Sequence, residues 1–172
     1  MAIPDCTHRP ETLLSHARPA ELFVRPITAA DKAALTAFFG RLSPLSRYRR
    51  FLCSKPALSG RELAYFTEVD HRCHVGLVAV DGSGVVGLTQ YAGWSGGAEG
   101  AEMAIAIADD RQGRGIGTLL GMRLIESARL NGVGRLTATT HADNFACQRL
   151  LRRLGFSRSG RVDGLLELEL TL

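Results

Sequence analysis

Lysine is almost missing from this sequence. Lys32 and Lys55 are the only two among 21 basic residues, and against 17 acidic residues they leave a formal charge of +4. Three readings fit so much arginine: codon bias, a preference for phosphate, which a guanidinium grips with two parallel donors, and an enzyme that acylates lysines and keeps few of its own. Long apolar runs are missing too: no stretch of about 18 residues could cross a bilayer as a helix. The N-terminus, MAIPDCTHRPETLLSHARPA, has no charged segment leading into an apolar one, so no export signal is expected and the expected compartment is the cytoplasm. The 4 cysteines form no CxxC pair, and zinc sites need short repeated spacings. His71-Arg72-Cys73-His74, the one local cluster of metal-type residues, runs into an apolar strand pattern, so no metal is expected and the thiols should be free. No aromatic-interleaved basic stripe supports nucleic-acid binding.

What remains is a chain of 172 residues, 45% apolar and 22% charged, which is the composition and size of one globular domain. Residues 1–20 carry Pro4, Pro10 and Pro19 without periodicity and read as an extension; residues 21–172 read as the domain. A strand is expected at Leu22–Arg25, stopped by Pro26. Thr28 with Asp31 resembles a capping box opening a helix through Phe39, with Gly40 at its end. Ser43–Leu52 reads as a short helix, and Ser59 with Glu62 caps another through Phe66.

After residue 70 the period changes. His74–Val80 and Val85–Tyr91 read as a hairpin around Asp81-Gly82-Ser83-Gly84, followed by a Gly93–Gly100 loop carrying Trp94. Glu99–Ala108 is a further strand, with Met103, Ile105 and Ile107 on one face and Glu102, Ala104, Ala106 and Ala108 on the other. A helix is expected over Ile116–Leu130, a strand over Arg135–Thr140 and a helix over Asp143–Leu154. A strand from Gly155-Phe156 to about Ser159 and an alternating strand at Leu165–Leu172 complete the chain.

The stretch DDRQGRGIGTLL (109–120) lies between a strand and a helix. Such a turn is an anion site by construction, because the first helix N–H groups have no internal partner and the helix dipole favours negative charge. It is not a Walker A loop, since no lysine follows the glycines, and the alternating Gly113, Gly115 and Gly117 fit a dinucleotide fingerprint poorly. The pattern that fits is Q-x-x-G-x-G, carried by Gln112, Gly115 and Gly117. It resembles the pyrophosphate loop of the GNAT superfamily of acyl-CoA-dependent N-acyltransferases. ADNFACQRLLRRLGF (142–156) resembles that family's N-x-x-[small]-x-x-L…G-F segment through Asn144, Cys147, Leu150, Gly155 and Phe156. Together with LSPLSRYRRFL, FTEVDHRCHVGLVAV and AEMAIAIADDRQGRGIGTLL, the chain resembles bacterial protein-lysine acetyltransferases, which often carry a fused regulatory domain; none is expected within these residues.

The resemblance implies an α/β GNAT fold: a mixed, mostly antiparallel sheet of about seven strands, helices on both faces and two splayed parallel central strands. It implies acetyl-CoA as cosubstrate, its pyrophosphate on the backbone of Gln112, Gly113, Arg114, Gly115, Ile116 and Gly117, and its pantetheine arm near Asn144. A backbone N–H near a bulge, around Ile105 to Ile107, would take the oxyanion. Acceptor amines must lose a proton before attack, and Glu102 is the expected general base. Lying in an apolar strand on a face of alanines, it is expected to be buried, with its pKa raised. The family's tyrosine, seven residues after the asparagine, is replaced by Leu151; Tyr91, His141 and Cys147 are weak stand-ins for the acid. The arginine groups Arg47, Arg49, Arg50 and Arg149, Arg152, Arg153 read first as solvated faces, with a CoA phosphate or an acidic acceptor surface as the alternative. Acetyl transfer to a protein lysine, acetyl transfer to a small amine, and a non-catalytic acyl-CoA sensor all stay open, as does the oligomeric state.

Overall fold

The computed structural model describes residues 21–93 and 100–172, so Trp94, Glu99 and the N-terminal extension lie outside the described residues. The chain opens with β1 (Phe23–Pro26), which ends where proline offers no N–H to a neighbour. Thr28 and Asp31 form the expected capping box, with the Thr28 N–H donating to Asp31 Oδ2 at 2.8 Å. A single 3-10 turn, Ala29–Asp31, intervenes before α1 (Lys32–Gly40). Four further elements follow: α2 (Pro44–Phe51), capped by Ser43; α3 (Gly60–Thr67), with a Ser59–Glu62 capping box; and the hairpin of β2 (His74–Asp81) and β3 (Gly84–Gly93). Then come β4 (Ala101–Ile107), α4 (Ile116–Leu130), β5 (Arg135–His141), α5 (Phe145–Arg153), β6 (Ser157–Val162) and β7 (Leu165–Thr171).

The strands form one seven-stranded sheet in the order β1-β2-β3-β4-β5-β7-β6, antiparallel everywhere except between β4 and β5. That exception follows from the helical crossover: α4 carries the chain back so that β5 restarts in the same direction. The parallel pair has only two rungs, Ala101↔Leu136 and Glu102↔Thr137. Beyond them the strands separate, and the wedge they leave positions the site.

The two sides of the sheet are covered unequally. On one side Val75, Leu77, Val86, Met103, Leu136, Ala138, Leu166 and Leu168 pack under Leu120, Leu124 and Ile125 of α4 and Leu151 of α5. On the other, Leu35, Phe38, Phe39 and Phe66 cover Val78, Val85, Leu88 and Ala108, and no residue of β5, β6 or β7 joins this core. Alternation explains both: odd residues of β4 face α4, even ones face α1–α3. Helices α4 and α5 approach closely at Gly117, where a Cβ would stand 3.0 Å from Leu150 Cδ2.

Candidate active site

A cleft of about 440 Å³ occupies the wedge between β4 and β5. Met103 to Ile107 and the glycine loop form one wall, Ala138 to Thr140 and the start of α5 the other, and Ser46, Arg49 and Arg50 of α2 close one side. Eight of the residues expected at the cofactor line it: Ile105, Ile107, Gln112, Gly113, Gly115, Ile116, Gly117 and Asn144.

The loop works through its backbone. Gly113 and Gly115 hold φ of 74° and 82°, a left-handed conformation that costs other residues about 1–2 kcal/mol. Gly115 is the N-cap of α4 and brings no capping side chain, so the first N–H groups of a fifteen-residue helix are left for a ligand. Arg114 is exposed, and of the residues expected at the cofactor it alone is not part of the cleft wall. Arg111 lines the cleft, but its Nε donates to Asp81 at 2.9 Å and its Nη1 to Asp110 at 2.5 Å, so it braces the loop. The two aspartates ahead of the loop tie down the start of α2 and the end of α1. Asp109 accepts from the Ser43 N–H at 2.8 Å and the Ser46 hydroxyl at 2.6 Å, and Asp110 accepts from Arg41 at 2.9 Å.

Strand β4 presents free N–H groups without a bulge. Its pairing with β3 runs unbroken from Gly87↔Ile107 to Gly93↔Ala101, which corrects the expected bulge. The Ala108 N–H donates to the Val86 carbonyl, so by strand alternation the even-numbered backbone groups of β4 point to β3 and the odd-numbered ones to β5. Since β5 departs after Glu102↔Thr137, the N–H groups of Ile105 and Ile107 face the open wedge. Splay supplies what a bulge was expected to supply.

Glu102 occupies the last paired rung, at the mouth of the wedge, and its side chain is exposed. The expectation of burial is overturned: Ala104 and Ala106 lie under the α1–α3 side, but cover ends before Glu102. Its register partners, Ala92 and Thr137, extend to His74 on β2 and Glu169 on β7. Burial lowers the His74 pKa, against the pull of Asp70, and its ring lies 4.6 Å from that of Tyr65.

The stand-ins for the tyrosine fare unequally. Leu151 is 1% exposed and belongs to the core. Tyr91 is fully buried; its hydroxyl donates to the Arg72 carbonyl at 2.8 Å and accepts from Asn131 at 2.7 Å, a structural role. Cys147 lines the cleft, but burial raises its pKa, opposed by the Thr140 hydroxyl and Arg49, and a thiol held protonated is a poor donor to another thiolate. His141 stacks on Tyr48 at 4.9 Å and lies outside the cleft wall. Asn144 caps α5, accepting the Cys147 N–H at 3.3 Å, while lining the cleft.

The arginine groups prove more than solvated faces. Arg49, Arg50, Arg149 and Arg153 line the cleft. Arg47 instead donates to the carbonyls of Leu42 and Pro56, and Arg152 to that of Gln148. Arg49 pairs with Asp143 at 3.7 Å. Arg50 makes no hydrogen bond or ion pair with any described residue; its guanidinium lies 5.0 Å from the Phe51 ring centroid and 5.7 Å from that of Phe66. Burial there pushes it down to about 10, against the charges of Glu102 and Tyr65. The sequence signal was only RYRRF on a short helix, which does not say which arginine turns inward. Among the described residues no group of three or more histidine, cysteine or acidic side chains is arranged to hold a metal.

Residues 21–157 match the family model described as an acetyltransferase (GNAT) domain. An acetyltransferase of Pseudomonas aeruginosa is 34% identical over 139 residues, covering 78% of this chain and 74% of that one. An L-methionine sulfoximine/L-methionine sulfone acetyltransferase of Pseudomonas aeruginosa is 38% identical over 90 residues, covering 50% of this chain and 52% of that one. The crystal structure of the GNAT domain of S. lividans PAT superposes with a TM-score of 0.82 at 30% identity, covering 87% of this chain and 89% of that one.

Proposed function

The chain belongs to the GNAT acetyltransferase family, and from that premise we propose that it transfers the acetyl group of acetyl-CoA to lysine side chains of proteins, with Glu102 as general base. The observation that carries this reading is the position of Glu102. It is exposed, one residue before Met103, the first cleft-lining residue of β4, beside the β5 and β7 faces, which contribute nothing to the α1–α3 core. An extended acceptor segment can lie along β5 and β7 and still reach β4. That face carries Thr137 and Glu169 in register with Glu102, and carboxylates there favour a cationic side chain.

In this mechanism the pyrophosphate rests on the N-terminus of α4 and the backbone from Gln112 to Gly117. The pantetheine arm runs through the wedge past Asn144, and the thioester carbonyl meets the Ile105 N–H. Glu102 takes a proton from the ammonium group; the nitrogen lone pair forms the N–C bond; the C–S bond breaks and its electron pair leaves with sulfur. The second nitrogen proton reaches the thiolate through water. Leu151 provides no hydroxyl, and a thiolate whose acid has a pKa near 8.5 is readily protonated by solvent.

The test is an acceptor panel: a lysine-bearing protein, its unfolded peptides, free amino acids including methionine sulfone, and polyamines, each scored by mass gain of 42 Da per acetyl group. Acetylation of folded protein and peptide lysines above the free amines supports the reading. Acetylation confined to the free amino acids would overturn it.

A further inference from the structure

Arg50 is the unexplained charge of this site. It lies near the end of α2, held at its N-terminus by Asp109, and it lines the cleft beside Met103, Ala104, Ile105 and Ala106. Phe51 and Phe66 meet edge-on at 6.1 Å and hold the guanidinium against them. Arg41 spends donors on Asp110, Arg47 on carbonyls and Arg111 on Asp81; Arg49 faces Asp143 at 3.7 Å with its Nε unpartnered, and Arg149 and Arg153, also on the cleft, are exposed to solvent. Arg50 spends none, although an unpaired, partly desolvated cation is costly. The carboxylate whose charge reaches it is Glu102.

Acetyl transfer needs a neutral amine, and a lysine ammonium group has a pKa of about 10.4. Glu102 is not buried, so the matching of base to nucleophile has to come from the amine's side. A like charge within several ångströms disfavours an ammonium ion, as does desolvation. We propose that Arg50 belongs to the acceptor site and that its fixed positive charge drives the bound amine to its neutral, nucleophilic form, the released proton passing to Glu102 and then to solvent. The inference rests on the acetyl-transfer reading of the cleft but not on which amine is accepted. The other titratable or charged groups around this spot are Arg49 of α2, facing Asp143; Tyr65 of α3; His74 of β2, its ring tilted against Tyr65; and Glu169 of β7, which faces Arg135 at 4.0 Å, with Arg111, Cys147, Arg149 and Arg153 on the cleft lining.

The experiment measures kcat, which reports ionisations of the bound complex, for the best acceptor of the panel between pH 6 and 10, at saturating acetyl-CoA and acceptor, for wild type, Arg50→Gln and Arg50→Lys, with thermal melts to verify folding. The expected result is that the acid limb of Arg50→Gln moves up by about one pH unit, a loss of about tenfold on that limb recovered at high pH, while Arg50→Lys keeps the wild-type limb. A loss that is the same at every pH, or no loss, overturns the proposal. A second readout needs no turnover: calorimetry of acceptor binding to protein loaded with an unreactive thioether analogue of acetyl-CoA, in two buffers of different ionisation heat. Wild type should release more protons per amine bound than Arg50→Gln, and equal release overturns the proposal. Wild-type turnover with an unchanged limb removes the role of Arg50 alone; no turnover with any amine removes the acetyl-transfer reading as well.

Discussion

Helices α4 and α2 border the same cleft and bring opposite things to it. Helix α4 arrives as bare backbone, with Gly113 and Gly115 in left-handed conformations and an N-terminus that no side chain caps. Helix α2 arrives with guanidinium groups, Arg49 and Arg50, and takes its place from outside, through Asp109 ahead of α4, which accepts from Ser43 and Ser46. A backbone anion site is general for phosphate and depends only on local geometry. A site made by side chains on a short, tethered helix depends on the tether. In the proposed mechanism one half of the cleft serves the common cofactor and the other the particular acceptor.

Three changes would break or sharpen that contrast. The largest effect is expected from Gly115→Val. A β-branched residue at φ 82° is strained by about 1–3 kcal/mol, and acetyl-CoA affinity by calorimetry should fall about ten- to hundredfold. Loss of stability with affinity intact would mean that the backbone wall does not hold the cofactor.

Asp109→Ala should act on the other helix. It removes the acceptor of the Ser43 N–H, the Ser43 hydroxyl and the Ser46 hydroxyl. A loss of about 1–2 kcal/mol in urea unfolding is expected, with acceptor KM rising more than acetyl-CoA KM. The reverse order of the two KM changes would show that α2 serves the cofactor.

Asp31 is a control remote from both helices. Its carboxylate is held at about 2, below the usual aspartate range, first by Arg25 and, against the cost of burial, by Thr28. A carboxylate whose folded value is depressed contributes stability that is complete above its unfolded value and lost as pH falls through the folded one. About 1–2 kcal/mol should therefore disappear between roughly pH 4 and 2. In Asp31→Asn the pH dependence of the urea midpoint over that range should flatten, without change in either KM at neutral pH.

Much of this was legible beforehand where the signal is local. The alternation of β4, the capping residues Thr28 and Ser59, and the glycine spacing before Ile116 each act within a few residues of themselves. Glu102 was legible as a lone acid in an apolar strand, but its exposure was not. That depends on where α1–α3 stop covering the sheet and where β5 leaves β4, both long-range facts. Arg50 was hidden for the same reason. In the run Arg47, Arg49, Arg50 nothing local says that one guanidinium will turn onto Phe51 and Phe66 while another clamps the carbonyls of Leu42 and Pro56.

The most direct test of the central claim is release of free CoA from acetyl-CoA, followed by a thiol reagent, with a lysine-bearing protein as acceptor and wild type beside Glu102→Gln. The account predicts acceptor-dependent release by wild type, a fall of about a hundredfold or more in kcat for the variant, and equal acetyl-CoA binding by both. Equal release by wild type and Glu102→Gln would contradict it.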